Sequence, residues 1–244
     1  MIHDQHPLFQ QFEIDFLGHD LRYPVFALGS YTSDMRLWAK TNGSIVITKG
    51  LIYCRLDHEA LLNEMKSIYS TCQAQWFGEV SNLKNLETLL NKHGYTIVNY
   101  APFFIPSPWF EPYENENLIF YQPDEILQFK GNKDYDQCFC YDEKHPDLLG
   151  VSYTIDGEVV AMAGLNQTGA YTVELGINVL PHAQGKGVGA LLVRAITTRA
   201  DQLYPKKVVT YGTQFTHTQS INVAINAGFT HAWTEIMIER MKID

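Results

Sequence analysis

The chain has 244 residues, is 45% apolar and carries a formal charge of −9 with a pI near 5.4, enough apolar content for one large core or two small ones. With no basic cluster longer than Lys206-Lys207, this acidity argues against a nucleic-acid partner or an anionic membrane, and it suits an amine-bearing substrate. Four cysteines lack the density of a secreted disulfide scaffold, no run has transmembrane length and the first residues show no leader, so a cytoplasmic protein is expected.

Cys138-Phe139-Cys140 has the look of half a metal site, but no second thiolate pair follows it. The histidines His3, His6, His19, His58, His93, His145, His182 and His231 show no paired-ligand spacing. No metal is expected, and the two thiols read as small apolar residues on one face.

A short helix is expected within residues 1–20, with Leu8, Phe9 and Phe12 as its apolar stripe. Strands follow over 23–32 and 35–56, with Thr41-Asn42-Gly43-Ser44 as a hairpin signal between apolar runs. Asp57 has the chemistry of an N-cap for a helix over 58–71, which places Leu61, Leu62, Met65, Ile68 and Tyr69 on one face. A strand near 75–80 comes next, then a helix capped by Ser81 and stopped at Gly94, then a strand over 95–100. Residues 101–116 are rich in proline and aromatics without either periodicity. They read as an extended connection and divide the chain into domains of 1–115 and 116–244.

Short helices over 124–129 and 133–141 lead to strands over 148–155 and 159–165, joined by the two-residue turn Asp156-Gly157. Val173, Leu175, Ile177 and Val179 alternate with the strand period, and that strand ends at Pro181. Beyond Gln184-Gly185-Lys186-Gly187-Val188-Gly189, apolar residues recur at helical spacing from Val188 through Leu191, Leu192, Ala195 and Ile196. A glycine-rich turn that leaves a strand and opens a helix offers unpaired amides and the positive end of the helix dipole to an anion. It is neither a P-loop nor a GxGxxG dinucleotide turn. A buried strand over 207–213, a helix over 218–227 and a last strand over 230–241 complete an α/β (α+β) order with a mixed sheet. Residues 85–95 and 220–229 share one layout: a helix, a glycine stop and an aromatic that opens a strand. The N-terminal half therefore reads as a degenerate copy of the C-terminal topology, without the loop of 184–189.

Gln184, Gly187 and Gly189, set after the strand ending Val179-Leu180-Pro181, resemble the acyl-CoA loop of the GNAT N-acetyltransferases, Gln/Arg-x-x-Gly-x-Gly/Ala. The element order over 117–244 and the string ELGINVLP…QGKGVG…YGTQFTHTQSINVAINAGF are similar to a bacterial two-domain group of that superfamily. The resemblance implies a GNAT fold in the C-terminal half and a smaller, degenerate GNAT-like N-terminal half. It also implies acetyl-CoA as acyl donor and an amine as acceptor. On the cofactor side it implicates the turn of Gln184, Gly185, Lys186, Gly187, Val188, Gly189 and Ala190 for the diphosphate, with Lys186 as an optional nearby charge. The backbone of Ile177, Asn178 and Val179 would run beside pantetheine.

Acetyl transfer needs a neutral amine and a leaving thiolate that is stabilised or protonated. Glu174, on one strand face with Gly176 and Asn178, occupies the place where relatives carry a glutamate that accepts the amine proton through water; the other reading is a solvated strand residue. Asn178 faces either the site or solvent. Glu235 and Glu239 are alternatives for substrate binding. Many relatives place a proton-donating tyrosine four residues before the glycine of their Gly-Phe, and here that position is Ala224. The stretch resembles instead the ribosomal-protein acetyltransferase branch, with Ser220, Val223 and Ala224 matching and His217 in place of a cofactor-contacting asparagine. Ser220 is then a proton donor to sulfur or a helix-cap serine, His217 a cofactor contact or a loop residue, and Asn222 a further candidate from the same turn. Trp109, Phe110, Tyr113 and Trp233 are acceptor-pocket walls or core.

The expected function is acetyl-CoA-dependent N-acetylation by direct attack, without an acyl-enzyme, because neither Cys138 nor Cys140 falls in the expected site. The alternative is a CoA-holding sensor or interaction module without turnover. A monomer or homodimer is expected.

Overall fold

The computed structural model describes residues 6–242; His3 and the other residues before His6 lie outside the described residues. In chain order the elements are α1 (Pro7–Asp15), β1 (Val25–Leu28), β2 (Gly43–Thr48), β3 (Leu51–Leu56), α2 (Glu59–Tyr69), α3 (Val80–Lys92) and β4 (Tyr95–Pro106). Then come β5 (Leu118–Tyr121), α4 (Pro123–Ile126), β6 (Asp147–Ile155), β7 (Glu158–Gln167), β8 (Thr172–Val179), α5 (Val188–Leu203), β9 (Val208–Gly212), α6 (Thr218–Asn226) and β10 (Phe229–Arg240). Helices and strands interleave, and both parallel and antiparallel pairs occur, which makes the fold a mixed α/β one.

Two compact units are present: residues up to Phe103 together with those from Ala232, and Phe104–His231. The sequence reading divided the chain at 115/116 and kept the whole last strand with the C-terminal domain. In the structure Thr234–Ile238 pair antiparallel with β2, which draws that part of β10 into the first unit.

In the first unit β3 pairs parallel with β1 and antiparallel with β2. α2 forms because Leu61, Leu62, Met65 and Tyr69 fall on one face and are buried; each such side chain contributes roughly 1.5–3 kcal/mol by leaving water. They pack with Ile45, Cys54, Leu56, Leu86, Leu90 and Ile236. α1 buries Leu8 and Phe12, and Phe9 is half-buried beneath the Lys49 ammonium.

Four local expectations are corrected here. The hairpin turn is Lys49-Gly50, whose φ values of 49° and 77° suit a type I′ turn. Gly43 is already a strand residue opposite Leu56, where a Cβ would overlap the Leu56 side chain. α2 is capped by His58, whose Nδ1 accepts the Leu61 N–H at 3.1 Å, because the Asp57 carboxylate accepts from Tyr95 Oη at 2.8 Å and Asn42 Nδ2 at 2.9 Å. The strand expected near 75–80 is a 3₁₀ turn, Ala74–Trp76, and α3 follows from a Glu79 cap rather than from Ser81. Ala74 and Phe77 are the buried residues there, and their spacing of three suits a turn of helix, not a strand.

A buried ionic cluster lies in this unit. Arg36 pairs through Nε with Asp15 and through Nη1 with Glu235 at 2.6 Å. Ser44 Oγ and Trp233 Nε1 also donate to Glu235, at 2.7 and 3.0 Å, and Trp233 stacks on Phe103 at 4.7 Å. Glu235 is therefore a fully buried core acceptor, not the substrate ligand that its place on the last strand suggested, and Trp233 is core.

In the second unit β5, β6, β7 and β8 pair antiparallel in that order, and β9 joins β8 in parallel. The Asp156-Gly157 turn has φ values of 49° and 84°, as type I′ demands. α5 covers one sheet face, where Val188, Leu192, Val193 and Ile196 meet Val173 and Leu175. β5 was not anticipated; at four residues and half-exposed, it is too short to show alternation. The helix expected over 133–141 is only a 3₁₀ turn, Lys133–Tyr135.

The reason for that last correction lies on the other face of the sheet. Gly150, Gly164 and Gly176 stand side by side on β6, β7 and β8. A Cβ at Gly176 would overlap the Gln137 carbonyl oxygen, and one at Gly164 the Cys138 carbonyl oxygen; at Gly150 it would meet Phe139 Cζ at 3.0 Å. Three glycines in register thus form a trough that receives the backbone of Gln137-Cys138-Phe139, where the chain leaves the turn closed by the Cys138 N–H to Tyr135 carbonyl bond. Cys138 is buried in it and Cys140 is exposed, so the two thiols do not share a face.

Candidate active site

β8 and β9 pair at Thr172/Val208, Val173/Val209 and Glu174/Thr210, and their ladder ends there, although β8 continues to Val179 and β9 to Gly212. On its other side β8 stays paired with β7 as far as Val179. The bonds Thr168 N–H to Thr172 O and Leu180 N–H to Val160 O fix which residues face β7. By the alternation of an antiparallel ladder, even-numbered residues of β8 direct their backbone groups to β7. Ile177 and Val179 therefore turn their N–H groups toward the gap that β9 has left.

The chain leaves β8 through a 3₁₀ turn at Pro181–Ala183 and reaches the glycine loop. Gln184 donates from Nε2 to the Val179 carbonyl at 3.0 Å, pinning the loop to the strand end. Gly187 occupies the N-cap of α5 with φ 79°, and no side chain caps the helix. The first intrahelical bond there is Leu191 N–H to Gly187 O, so the amides of Val188, Gly189 and Ala190 have no acceptor within the helix. A Cβ at Gly187 would meet nothing within 4 Å; the backbone angle, not crowding, calls for glycine.

α6 opens on the same space. His217 is its N-cap, again without a side-chain bond. Ser220 Oγ lies 2.8 Å from Tyr211 Oη, and Tyr211 is 3% exposed. Burial pushes the Tyr211 phenol up, and the bond to Ser220 works in the opposite direction. Ala224, at the position of the usual tyrosine, is fully buried.

These elements bound a cleft of about 500 Å³. The structure brings Ile177, Asn178, Val179, Gln184, Gly185, Gly187, Val188, Gly189, Ala190, His217, Ser220 and Asn222 to its walls. Lys186 is exposed and outside the lining. Glu174 is also outside it, half-buried at the last ladder pair with Thr210. There it contributes, after burial of the sulfur and after Asp147, to pushing the Cys140 thiol up to about 11. The Asn178 side chain is turned to the trough: its Oδ1 accepts the Gln137 N–H at 2.9 Å and the Cys138 thiol at 3.2 Å. Cys138 thus touches a lining residue, although burial pushes its thiol up and keeps it protonated.

The lining residues that sequence alone does not implicate include Tyr211 and Gln137, with Ala183, Gln219 and Asn226. For Tyr211 a signal was present, since ligands of parallel strands collect at their C-terminal ends and Tyr211 stands at the end of β9. Gln137 carries no such signal; it reaches the cleft only because the glycine trough draws its segment across the sheet.

Chemically, the loop and the α5 amides suit an anionic head group, the free edge of β8 suits an extended amide-bearing chain, and the Tyr211–Ser220 pair offers a proton donor.

Residues 109–229 match the family described as Acetyltransferase (GNAT) family. No curated protein matches the chain. Among solved structures, a GCN5-related N-acetyltransferase from Kribbella flavida aligns at 19% identity over 65% of each chain, with a TM-score of 0.47. An acetyltransferase of the GNAT family from Colwellia psychrerythraea aligns at 14% identity over 65% of this chain and 62% of its own, TM-score 0.43. A GCN5-related N-acetyltransferase-like protein from Streptococcus suis 89/1591 aligns at 10% identity over 82% and 84%, TM-score 0.41. The alignments take in slightly under two thirds of the Kribbella and Colwellia chains.

Proposed function

The chain belongs to the GNAT acetyltransferase family through residues 109–229, and from that premise we propose that it is an acetyl-CoA-dependent N-acetyltransferase acting on an amine by direct attack. One observation carries the reading: β8 parts from β9 after Glu174/Thr210 beside an uncapped, glycine-led helix start. Acetyl-CoA has a diphosphate, an amide-bearing arm and a thioester, and the cleft has a partner for each. The amides of Val188, Gly189 and Ala190, with Gly185 and Gly187, hold the diphosphate. The freed N–H groups of Ile177 and Val179 hold the arm, and one of them faces the thioester oxygen as charge grows on it. His217 and Asn222 line the same wall and contact the cofactor, and Lys186 adds a nearby surface charge.

Acetyl-CoA, when bound, supplies an activated acetyl group. Glu174 accepts the amine proton through water, a role its half-buried place on the face of β8 permits. Asn178 positions rather than reacts: it holds Gln137 and Cys138 against β8 and so fixes the segment that lies over the sheet. No cysteine acts as nucleophile, since Cys138 is buried and its thiol pushed up.

Calorimetry or a thermal shift with acetyl-CoA tests the reading. At a ligand concentration one hundred times Kd, stabilisation of about 2.7 kcal/mol is expected; no binding at millimolar acetyl-CoA would sink it. A second reading, a CoA-binding module without turnover, is favoured by the burial of Ala224 where relatives place a phenol. Release of free CoA from acetyl-CoA across a panel of amines separates the two: binding without release supports the module.

The first unit is proposed as a degenerate copy of the same topology. α3, Gly94 and β4 repeat the succession of α6, Gly228 and β10, and no glycine loop of this kind stands among its described residues.

A further inference from the structure

The cleft contains two hydroxyl groups that no sequence pattern connects. Tyr211 comes from the end of β9 and Ser220 from the first turn of α6, and their oxygens are 2.8 Å apart. Both line the cleft. Tyr211 is buried with its ring edge-on to Phe229, 6.3 Å between centroids, whereas Ser220 is half-buried. Serine alone is a poor acid for this site. An aliphatic hydroxyl holds its proton about as tightly as water, pKa about 15.7, many units above a thiol at about 8.5. A phenol, near 10 in water, is within a few units of the thiol even when burial raises it, and it still carries its proton at neutral pH.

Resting on the acetyl-CoA reading of this site, we infer that Tyr211 and Ser220 form a two-hydroxyl proton relay to the departing sulfur. Ser220 gives its proton to sulfur as the carbon–sulfur bond breaks and the carbon–nitrogen bond forms. Tyr211 passes its own proton to Ser220 in the same step, so no alkoxide develops, and water then returns a proton to Tyr211. The surplus proton of the attacking amine leaves through Glu174 or water, so one proton is lost and one gained over the reaction. The relay supplies from β9 the phenol that Ala224 withholds on α6.

The relay can be tested without an acceptor amine, using free CoA bound to the full chain. Donors aimed at a sulfur favour its thiolate, so the thiol of bound CoA, followed by thiolate absorbance, is expected to ionise about one unit below that of free CoA. Tyr211→Phe keeps the ring and removes the hydroxyl; Ser220→Ala removes the other partner from an accessible helix start. Ser220→Ala is expected to bring the bound thiol back to its free value and Tyr211→Phe to bring it part of the way, since Ser220 still donates but without the phenol behind it, each variant binding CoA within about threefold of the native chain. The double variant is expected to match Ser220→Ala, because Tyr211 acts only through Ser220. Bound thiol that titrates alike in all these proteins overturns the relay and leaves the acetyl-CoA reading intact. Failure of CoA and acetyl-CoA to bind the native chain overturns that reading, and the relay with it.

Discussion

Tyr211 Oη lies 2.8 Å from Ser220 Oγ, joining the end of β9 to the first turn of α6. The bond separates two contributions that one side chain makes. The Tyr211 ring packs in the core with Phe229, while its hydroxyl serves the cleft. Tyr211→Phe is therefore expected to cost only the hydrogen bond, about 1 kcal/mol, because Ser220 is half-buried and can turn to water. Tyr211→Ala is expected to cost about 3–5 kcal/mol, as for other large aromatics removed from cores. Chemical denaturation of the two variants checks this; equal losses would mean that the ring contributes little.

The site was legible where local backbone geometry dictates residue type and obscure where a distant segment decides. Gly187 is needed at the N-cap of α5 for its positive φ, a demand set within a few residues, and the loop could be read directly. Tyr211 sits in an apolar run, and its one signal is topological, its place at the C-terminal end of the parallel strand β9. The face of Asn178 depended on Gln137, 41 residues away, and the burial of Glu235 on Arg36, 199 residues away. The misplaced hairpin has a different cause: Asn42-Gly43 carries the turn signature, but here glycine is required by close packing against Leu56.

The glycine trough predicts a sharp asymmetry between substitutions. At Gly164 and Gly176 a methyl group would overlap backbone carbonyl oxygens of Cys138 and Gln137, which cannot rotate aside. Gly176→Ala is expected to displace the 137–139 segment, costing on the order of 1–3 kcal/mol, and to expose the Cys138 thiol. Gly150→Ala meets side chains, the Phe139 ring and Ile126 Cγ1, and is expected to cost less. Thermal denaturation with thiol labelling under native conditions reads both effects, and unchanged Cys138 protection in Gly176→Ala would contradict the trough.

Glu235 is expected to matter for folding and not for the cleft. Arg36 is 2% exposed and pairs with both Asp15 and Glu235. Glu235→Gln leaves Arg36 its pair with Asp15 but removes the charge that accepts from Arg36, Ser44 and Trp233, so a loss of roughly 1.5–3 kcal/mol, that of a hydrogen bond to a charged group, is expected. A denaturant midpoint near that of the native chain would show that water reaches the cluster.

Alkaline instability has an identifiable contributor in Tyr53, whose hydroxyl donates to the Leu21 carbonyl at 2.7 Å. Burial, and then the charge of Asp20, push this phenol up to about 12. In the unfolded chain it ionises near 10. Between about pH 10 and about pH 12 the unfolded state has lost a proton that the native state retains, so stability falls as pH rises through that window and is full below it. Tyr53→Phe is expected to flatten the fall without abolishing it, because burial also pushes Tyr141 up to about 12. Unfolding free energies measured across the window in both proteins provide the check; identical slopes would exclude Tyr53.

Gly189 offers the cleanest separation of binding from stability. It lies in the first turn of α5, and it is Gly187, not Gly189, that has the positive φ there. A Cβ at Gly189 would stand 3.4 Å from both Val179 Cγ2 and Val223 Cγ2, an ordinary contact. Helix propensity favours alanine over glycine by about 1 kcal/mol, so Gly189→Ala is expected to leave the melting temperature equal or higher. The acyl-CoA loop that this turn resembles admits alanine at this position, so the stabilisation that millimolar acetyl-CoA confers is expected to persist in Gly189→Ala. A larger side chain enters the cleft where the strand edge, the loop and α6 meet, and in Gly189→Leu that stabilisation is expected to fall by at least about 1.4 kcal/mol, a tenfold loss of affinity. Gly187→Ala should behave differently, since strain at a left-handed position costs roughly 1–2 kcal/mol and the fold itself would suffer. Melting curves of the native chain and the three variants, each with and without acetyl-CoA, decide the matter. Full ligand-induced stabilisation in Gly189→Leu would mean that the cofactor does not use this cleft.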